Sequence, residues 1–342
     1  MSPKIPVLKS KLQLLQYVIL LVTGVFLCWL FFRNFSFNEL ITALENGHFS
    51  WFYVVMLTTA IVYVIRAIRW QMLIKATGHS TSFPHAFAAL SISYFVSLIV
   101  PRLGEITRCL SIKKQHDVPF MQLLGTVIIE RVVDIISLVV MLLLTLLLQF
   151  DHIIEFVTEN IFHPFYKGII VKIIAGNSTI ILVTLIVLTL VCCLFFYFRK
   201  YIREKSPKLI LKFLEGLKQG IISISALRQK KLFIFYTILI WLGYYFMTYF
   251  WFFVFKETSG LGWGACLSVV SIGSIGRSVP IQGGGMGAYH FLVTQVVVLY
   301  GVSEVFGKTL ATCIHGGQVF FTFTMGLVGL LIFFISFWRN KA

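Results

Sequence analysis

The chain has 342 residues, 58% of them hydrophobic and 12% charged, where soluble domains carry about a quarter charged residues. That excludes an ordinary soluble protein and makes an integral membrane protein the expectation. Its 29 Lys and Arg against 13 Asp and Glu give +16, a balance that in a soluble protein would suggest nucleic acid but in a polytopic one is first a record of orientation.

The first apolar run, residues 14–32, follows Lys4, Lys9 and Lys11 and has no small-residue cleavage site after it, so it reads as a retained span rather than a signal peptide. Crossing a bilayer takes about 20 apolar residues, and further runs of that order lie at 50–69, 122–150, 178–198, 232–255 and 309–337. Two shorter runs, 86–100 and 264–279, each stop at a proline, Pro101 and Pro280, and read as re-entrant. The expected fold is therefore an all-α polytopic membrane protein with six full spans plus two re-entrant helical hairpins. It forms a single transmembrane domain over residues 1–342, because the longest polar-rich interval, 199–231, is shorter than the about 50 residues a soluble domain needs.

Cytoplasmic flanks hold the excess of Lys and Arg. With both termini cytoplasmic, 22 of the 29 cations fall inside and five outside, and Arg131 and Arg277 stay within the membrane. A full crossing by residues 86–100 would instead place Arg102, Arg108, Lys113 and Lys114 outside. The interval 199–231 mixes ten cations with apolar residues at helical spacing and reads as a basic amphipathic helix on the anionic cytoplasmic leaflet. Nucleic acid is not an expected partner.

Superposing Pro101 on Pro280 aligns a serine-containing half-helix before each proline, a glycine-bearing turn after it, and a long span on either side. Repeat 1 covers about 50–150 and repeat 2 about 232–337. The first hairpin would enter from the cytoplasm and the second from outside, which makes an inverted-topology repeat. Paired Gly/Pro-interrupted segments in two halves point to a midplane binding site in a transporter, where free N–H groups at broken helix ends suit an anion such as phosphate.

Glu130, Arg131 and Asp134 sit early in the run 122–150, with both carboxylates on one helix face and Arg131 three residues before Asp134. Each such charge costs about 2.5–3.5 kcal/mol at a bilayer centre on insertion scales, so none is expected to face lipid. One reading is an ion-pair cluster that locks helices together. The other is a polar cavity in which Arg131, Arg277 and Arg102 bind an anionic headgroup while Glu130, Asp134 and Glu105 neutralise or couple. Arg102 would otherwise be solvated in the cytoplasm. His315 and Gln318 could line the same cavity, although a lone His is commonly structural. Arg66 and Arg69 with Trp70 read as snorkelling anchors at the end of a span. Cys28, Cys109, Cys192, Cys193, Cys266 and Cys313 lack C-x-x-C spacing and read as small buried hydrophobes. No hydrolase, nucleotide or zinc motif occurs, and neither cofactor nor metal is expected.

Four motifs in order, Arg66-x-x-Arg69-Trp70, Pro101-Arg102-Leu103-Gly104-Glu105-x-x-Arg108, Gly125-Thr126-Val127-x-x-Glu130-Arg131-x-x-Asp134 and Pro280-x-x-Gly283-Gly284-Gly285-x-Gly287, resemble the flippase-like transmembrane region of lysylphosphatidylglycerol synthases, including its stand-alone UPF0104-type members in bacteria and archaea. The resemblance covers about residues 12–338. It implies a bacterial or archaeal plasma (inner) membrane location and translocation of an anionic phospholipid or polyprenyl-linked lipid. It also implies a partner glycosyl- or aminoacyl-transferase, and leaves room for an oligomer. Full-length synthases add a soluble aminoacyl-transfer domain, and with the chain ending at Ala342 that chemistry is not expected. Gly283, Gly284, Gly285 and Gly287 would let backbone N–H groups approach the headgroup. Ile281 and Gln282 depart from the more glycine- and proline-rich stretch expected at this tip. The competing readings are a membrane-embedded transferase, with Glu130 or Asp134 as general base, and a scaffold for a partner transferase.

Overall fold

The computed structural model describes residues 37–150 and 227–339, apart from Asp117 and Pro280, together with Val22, Phe26, Trp29, Ile154 and Thr158. The expected spans at 14–32 and 178–198 and most of the basic interval 199–231 lie outside the described residues. Among the described residues the secondary structure is helical throughout: α1 (Phe37–Glu45), α2 (Ser50–Ala76), α3 (Phe83–Ile99), α4 (Leu103–Gln115), α5 (Phe120–Leu148), α6 (Lys230–Phe252), α7 (Trp263–Ser278), α8 (Ala288–Leu299) and α9 (Glu304–Arg339).

Four helices are long and apolar enough to cross a membrane, α2, α5, α6 and residues Glu304–Ser336 of α9. They coincide with four of the six expected spans. Each is apolar on faces that stay uncovered: Ile135, Ile136, Val139, Val140 and Leu143 on α5, and Phe320, Phe323, Leu327, Leu331 and Phe334 on α9, are exposed. In water such contiguous apolar faces would be an aggregation hazard; in a bilayer they are the lipid contact. The chain is a multi-pass membrane protein.

The expected short runs form α3, of 17 residues, and α7, of 16. At 1.5 Å rise per residue each is about 25 Å long, short of the ~30 Å hydrocarbon core. Both end where a proline forces its predecessor out of the helical region: Val100 has φ −127° and ψ 108°, and Val279 has φ −65° and ψ 125°. The chain then doubles back. After Pro101 it turns through Arg102, whose φ of 67° is the one positive value at a non-glycine residue among those described, and α4 returns alongside α3. After Pro280 the reversal runs through Gly283, Gly284, Gly285 and Gly287, all at positive φ, and α8 packs on α7.

Each hairpin is closed by backbone-to-backbone approach at a glycine. A Cβ on Gly104 would collide with the Ser93 carbonyl oxygen, and one on Gly276 would lie 2.8 Å from the Tyr289 Cα. At the mouth of the first hairpin His85 and His116 meet ring to ring, Nδ1 to Nε2 at 2.7 Å, and His85 also contacts the Ser336 hydroxyl of α9.

The remaining contacts come in matched pairs. Helix α2 packs along α6; α3 packs on α9 while α7 packs on α5; α4 lies against α5 and α8 against α9. At the α5–α7 contact Thr145 and Ser271 hydroxyls are 2.7 Å apart, and at the α3–α9 contact Gly329 sits close to Ser91 and Gly326 to Phe95. The largest apolar core joins α6 to α9 around Phe252, Val269, Val293, Val297, Leu310 and Ile314. A second core, around Trp70, Leu73, Ile112, Leu123 and Val127, joins α2, α4 and α5. Cys109 and Cys266 are buried free thiols within these cores.

Because the closures are steric, Gly104→Ala and Gly276→Ala are each expected to destabilise the protein by about 1–3 kcal/mol, the usual range for overpacking. Gly316→Ala on α9, where nothing lies within 4 Å of the added methyl, should stay within about 0.5 kcal/mol. Thermal unfolding of the three variants in detergent reads the difference.

Candidate functional site

Helix α5 carries two carboxylates one turn apart on its inward side, and the fold surrounds them with arginines from two other helices. Glu130 is buried, with Arg66 Nη2 of α2 at 2.8 Å, Arg108 Nη1 of α4 at 3.0 Å and Arg69 Nη2 at 3.6 Å. Asp134 accepts from Arg69 at 2.7 Å and Arg66 at 3.2 Å. Arg66 and Arg69, three residues apart, present on one face of α2, so a single helix supplies both guanidiniums that bridge the two acids.

The surrounding side chains hold these groups in place. Arg66 donates to the Tyr244 hydroxyl of α6 and lies 5.3 Å from the centroid of the Tyr94 ring on α3. Arg69 donates to Thr237 at 3.3 Å. The Arg108 guanidinium stacks 4.6 Å from the Trp70 ring centroid, and Trp70 itself is pinned by its indole N–H to Thr126 at 3.0 Å. The network thus ties α2, α3, α4, α5 and α6 through charge-assisted hydrogen bonds and ring contacts.

This corrects the snorkelling reading of Arg66 and Arg69. Helix α2 does not end near residue 69 but continues to Ala76, and Arg69 and Trp70 are both wholly buried. The signal was present in the sequence: Met72, Leu73 and Ile74 follow the arginines, so the apolar register runs on past them, and two carboxylates on one face of α5 require cations from elsewhere. Arg108 and Tyr244 had no comparable signal, since their roles follow from the hairpin turn and from the α2–α6 pairing.

Arg131 takes a different partner from Asp134. Its Nε binds Glu105 of α4 at 2.8 Å, and the pair is partly exposed, with side chains 46% and 29% accessible. Arg102, at the first tip, is exposed.

The second hairpin assembles a separate group. Arg277, in the last turn of α7, lies 4.4 Å from the Tyr289 ring centroid, and among the described residues no carboxylate comes within ion-pairing distance; its Nε is buried without a hydrogen-bond partner. His315 of α9 is buried, with its ring 4.8 Å from that of His290 and 5.5 Å from that of Tyr289. Gly284 of the tip faces it, and Gly283, Gly285 and Gly287 complete the turn. Residues Gln282–Gly285 pack against α3 of the first hairpin.

Arg277 and Gln318 line a cavity of about 10 Å³ together with Thr59 and Tyr244, room for about one water molecule. The candidate residues therefore form two groups rather than one, with Glu105, Glu130, Arg131 and Asp134 in the first, and Arg277, His315, Gln318 and the tip glycines in the second. Tyr244 touches both, since its hydroxyl receives Arg66 and its side chain lines the Arg277 cavity. Among the described residues no cluster of metal-ligating side chains occurs.

Removing one partner of a buried ion pair leaves the others uncompensated and costs about 3–5 kcal/mol, whereas exposed pairs contribute about 0–1 kcal/mol. Glu130→Ala should accordingly lower stability by several kcal/mol, and Arg131→Ala should leave it nearly unchanged. Thermal unfolding in detergent distinguishes them; equal losses would contradict the burial difference.

The family described as "Lysylphosphatidylglycerol synthase TM region" matches residues 13–326. A relative, "UPF0104 membrane protein MJ1595" of Methanocaldococcus jannaschii, is 25% identical over 127 residues, 36% of this chain and 38% of that protein. The aligned segment thus spans little more than a third of the relative's length. No solved structure matches the chain. Since the family match covers both hairpins, three of the four long helices and α9 as far as residue 326, the chain belongs to the lysylphosphatidylglycerol synthase transmembrane-region family.

Proposed function

We propose that the protein is a lipid flippase that moves an anionic phospholipid or polyprenyl-linked lipid between the leaflets of the plasma (inner) membrane. The observation that carries this reading is Arg277: a guanidinium without a carboxylate partner among the described residues, beside a glycine tip that interrupts the helix, on a cavity between α2, α6 and α9. A cation in that setting needs an anion, and the tip beside it departs from regular helix through several residues at positive φ, with Gly285 and Gly287 donating their N–H groups to Ile281 O and His290 Nδ1.

In this reading six spans and two oppositely inserted re-entrant hairpins form the inverted repeat, with both termini cytoplasmic. The matched contacts of α3 with α9 and of α7 with α5 support it, because each hairpin packs on a span of the other half. Arg277 and Arg131 bind phosphate, with Arg102 at the first tip. Gly283 and Gly284 admit the headgroup to the tip, whose turn Gly285 and Gly287 shape. Glu105 holds Arg131 until the headgroup replaces it, Glu130 and Asp134 neutralise the inner arginines, and His315 and Gln318 line the route. Rocking of one half against the other exposes the two groups in turn, and the acyl tails stay in the bilayer beside the apolar faces of α5 and α9. A membrane-embedded transferase with Glu130 as general base fits less well, since three guanidiniums already occupy that carboxylate.

The test is reconstitution into liposomes, following both headgroup accessibility and the chemical identity of a labelled lipid. Movement without conversion is expected, and Arg277→Gln should slow it about tenfold or more, the rate equivalent of losing one ~1.4 kcal/mol interaction. Conversion of the lipid by purified protein would overturn the proposal. Single cysteines at Leu103 and Gln282 on a Cys-free background should label from opposite sides of the membrane; labelling from one side would overturn the inverted repeat.

A further inference from the structure

The ion-pair network of the first half does not balance. Three arginines, Arg66, Arg69 and Arg108, converge on two carboxylates, Glu130 and Asp134, while Arg131 and Glu105 neutralise each other. One positive charge is left over, in a region where all three inner arginines are buried. A buried guanidinium is stable only when paired and hydrogen-bonded.

The excess can be assigned to an atom. Arg66 and Arg69 each reach both carboxylates. Arg108 reaches only Glu130, and only through Nη1. Among the described residues its Nε and Nη2 are both buried without a hydrogen-bond partner, whereas Arg66 and Arg69 each leave only Nε so. Those two nitrogens form one edge of the planar guanidinium, the edge that meets an oxyanion with two parallel N–H donors. The guanidinium carbon sits 4.6 Å from the Trp70 ring centroid, a contact that favours the cation there. In the adjoining helix α3 two further buried polar atoms lack partners, the Tyr94 hydroxyl and the Ser91 hydroxyl.

We infer that the free Nε–Nη2 edge of Arg108 is a binding site for one singly charged phosphate oxyanion, as in the phosphodiester of a lipid headgroup, which completes the charge balance of the first hairpin. The site deepens the transport reading and rests on it for the source of the anion, while the site itself stands on the unpaired edge alone. Among the described residues it also gives each half an arginine with a buried, unpartnered Nε, Arg108 in the first and the half-buried Arg277 in the second. The Glu105–Arg131 pair, the partly exposed side of the network, is where the anion enters.

The experiment uses the full chain in nanodiscs and reads the melting temperature and direct lipid binding. Wild-type protein is expected to melt higher in phosphatidylglycerol than in a neutral glycolipid that contains no phosphate, the control needed because every phospholipid carries a phosphodiester. In Arg108→Gln, which removes the surplus charge while Glu130 keeps Arg66 and Arg69, that difference should vanish and affinity for phosphatidylglycerol should fall about tenfold or more, as for loss of one charge-assisted bidentate contact. Arg108→Lys keeps the charge without the fork and should retain an intermediate response.

Inorganic phosphate added to the protein in the phosphate-free glycolipid separates the two sources of the anion. A wild-type shift equal to that in phosphatidylglycerol assigns the site to the free ion, and no shift assigns it to the headgroup; either result supports an oxyanion site if Arg108→Gln abolishes the response. The inference is overturned if wild-type protein melts identically in both lipids and ignores phosphate. It is equally overturned if Arg108→Gln and Arg108→Lys both respond as wild type does. Binding without translocation would overturn the transport proposal and leave the site, while translocation with wild-type lipid binding in Arg108→Gln would overturn the site and leave transport.

Discussion

Everything in the first half of this protein is arranged around the Glu130 carboxylate. It lies within ion-pairing distance of Arg66, Arg69 and Arg108, which belong to two helices other than its own. In the interior of a membrane protein a lone carboxylate or guanidinium is prohibitively placed, yet a cluster with mutual partners is tolerated and holds its helices to one registry. The packing follows from that requirement. Helix α2 must bring Arg66 and Arg69 to the same depth as Glu130 and Asp134, α4 must return along α3 far enough to deliver Arg108, and Trp70 must stand where it can stack on that arginine. A shift of α2 by one residue would rotate both its arginines by about 100° away from the acids.

The second half meets the same requirement with less charge. Arg277 has the face of Tyr289 instead of a carboxylate, and the histidines beside it are packed ring to ring. The contrast between a carboxylate-rich group and a carboxylate-free one, joined through Tyr244, gives the interior a polarity gradient between the halves. Among the described residues cations outnumber acids in both groups.

Much of the architecture was legible in residue patterns. The runs that became α2, α5, α6 and α9 announced themselves by length alone, because a bilayer sets a minimum that soluble helices rarely meet. The short α3 and α7 and their proline-terminated ends were equally plain, since Pro101 and Pro280 act on the backbone locally. The site was less legible. Glu130 and Asp134 stood out because carboxylates are costly in an apolar run, but an arginine near the end of a span resembles an anchor, and nothing local to Arg66 or Arg69 names its partner 60 or more residues away. Arg108 lies in a polar helix where a cation attracts no notice; only the return of α4 against α5 brings it to Glu130. Local rules reach what is local, whereas pairings between helices depend on the whole fold.

The exchange of contacts between halves bears on how the molecule is made. Helix α3 buries Ala88 and Ser91 where α9 packs against it, with the glycines of α9 fitted to its backbone and side chains, yet α9 is synthesised after every other described helix. The first hairpin closes on itself through Gly104 against Ser93 and Ser97, all of them made early, but the face of α3 that carries Ser91 gains its α9 neighbour only once Gly326 and Gly329 have been synthesised.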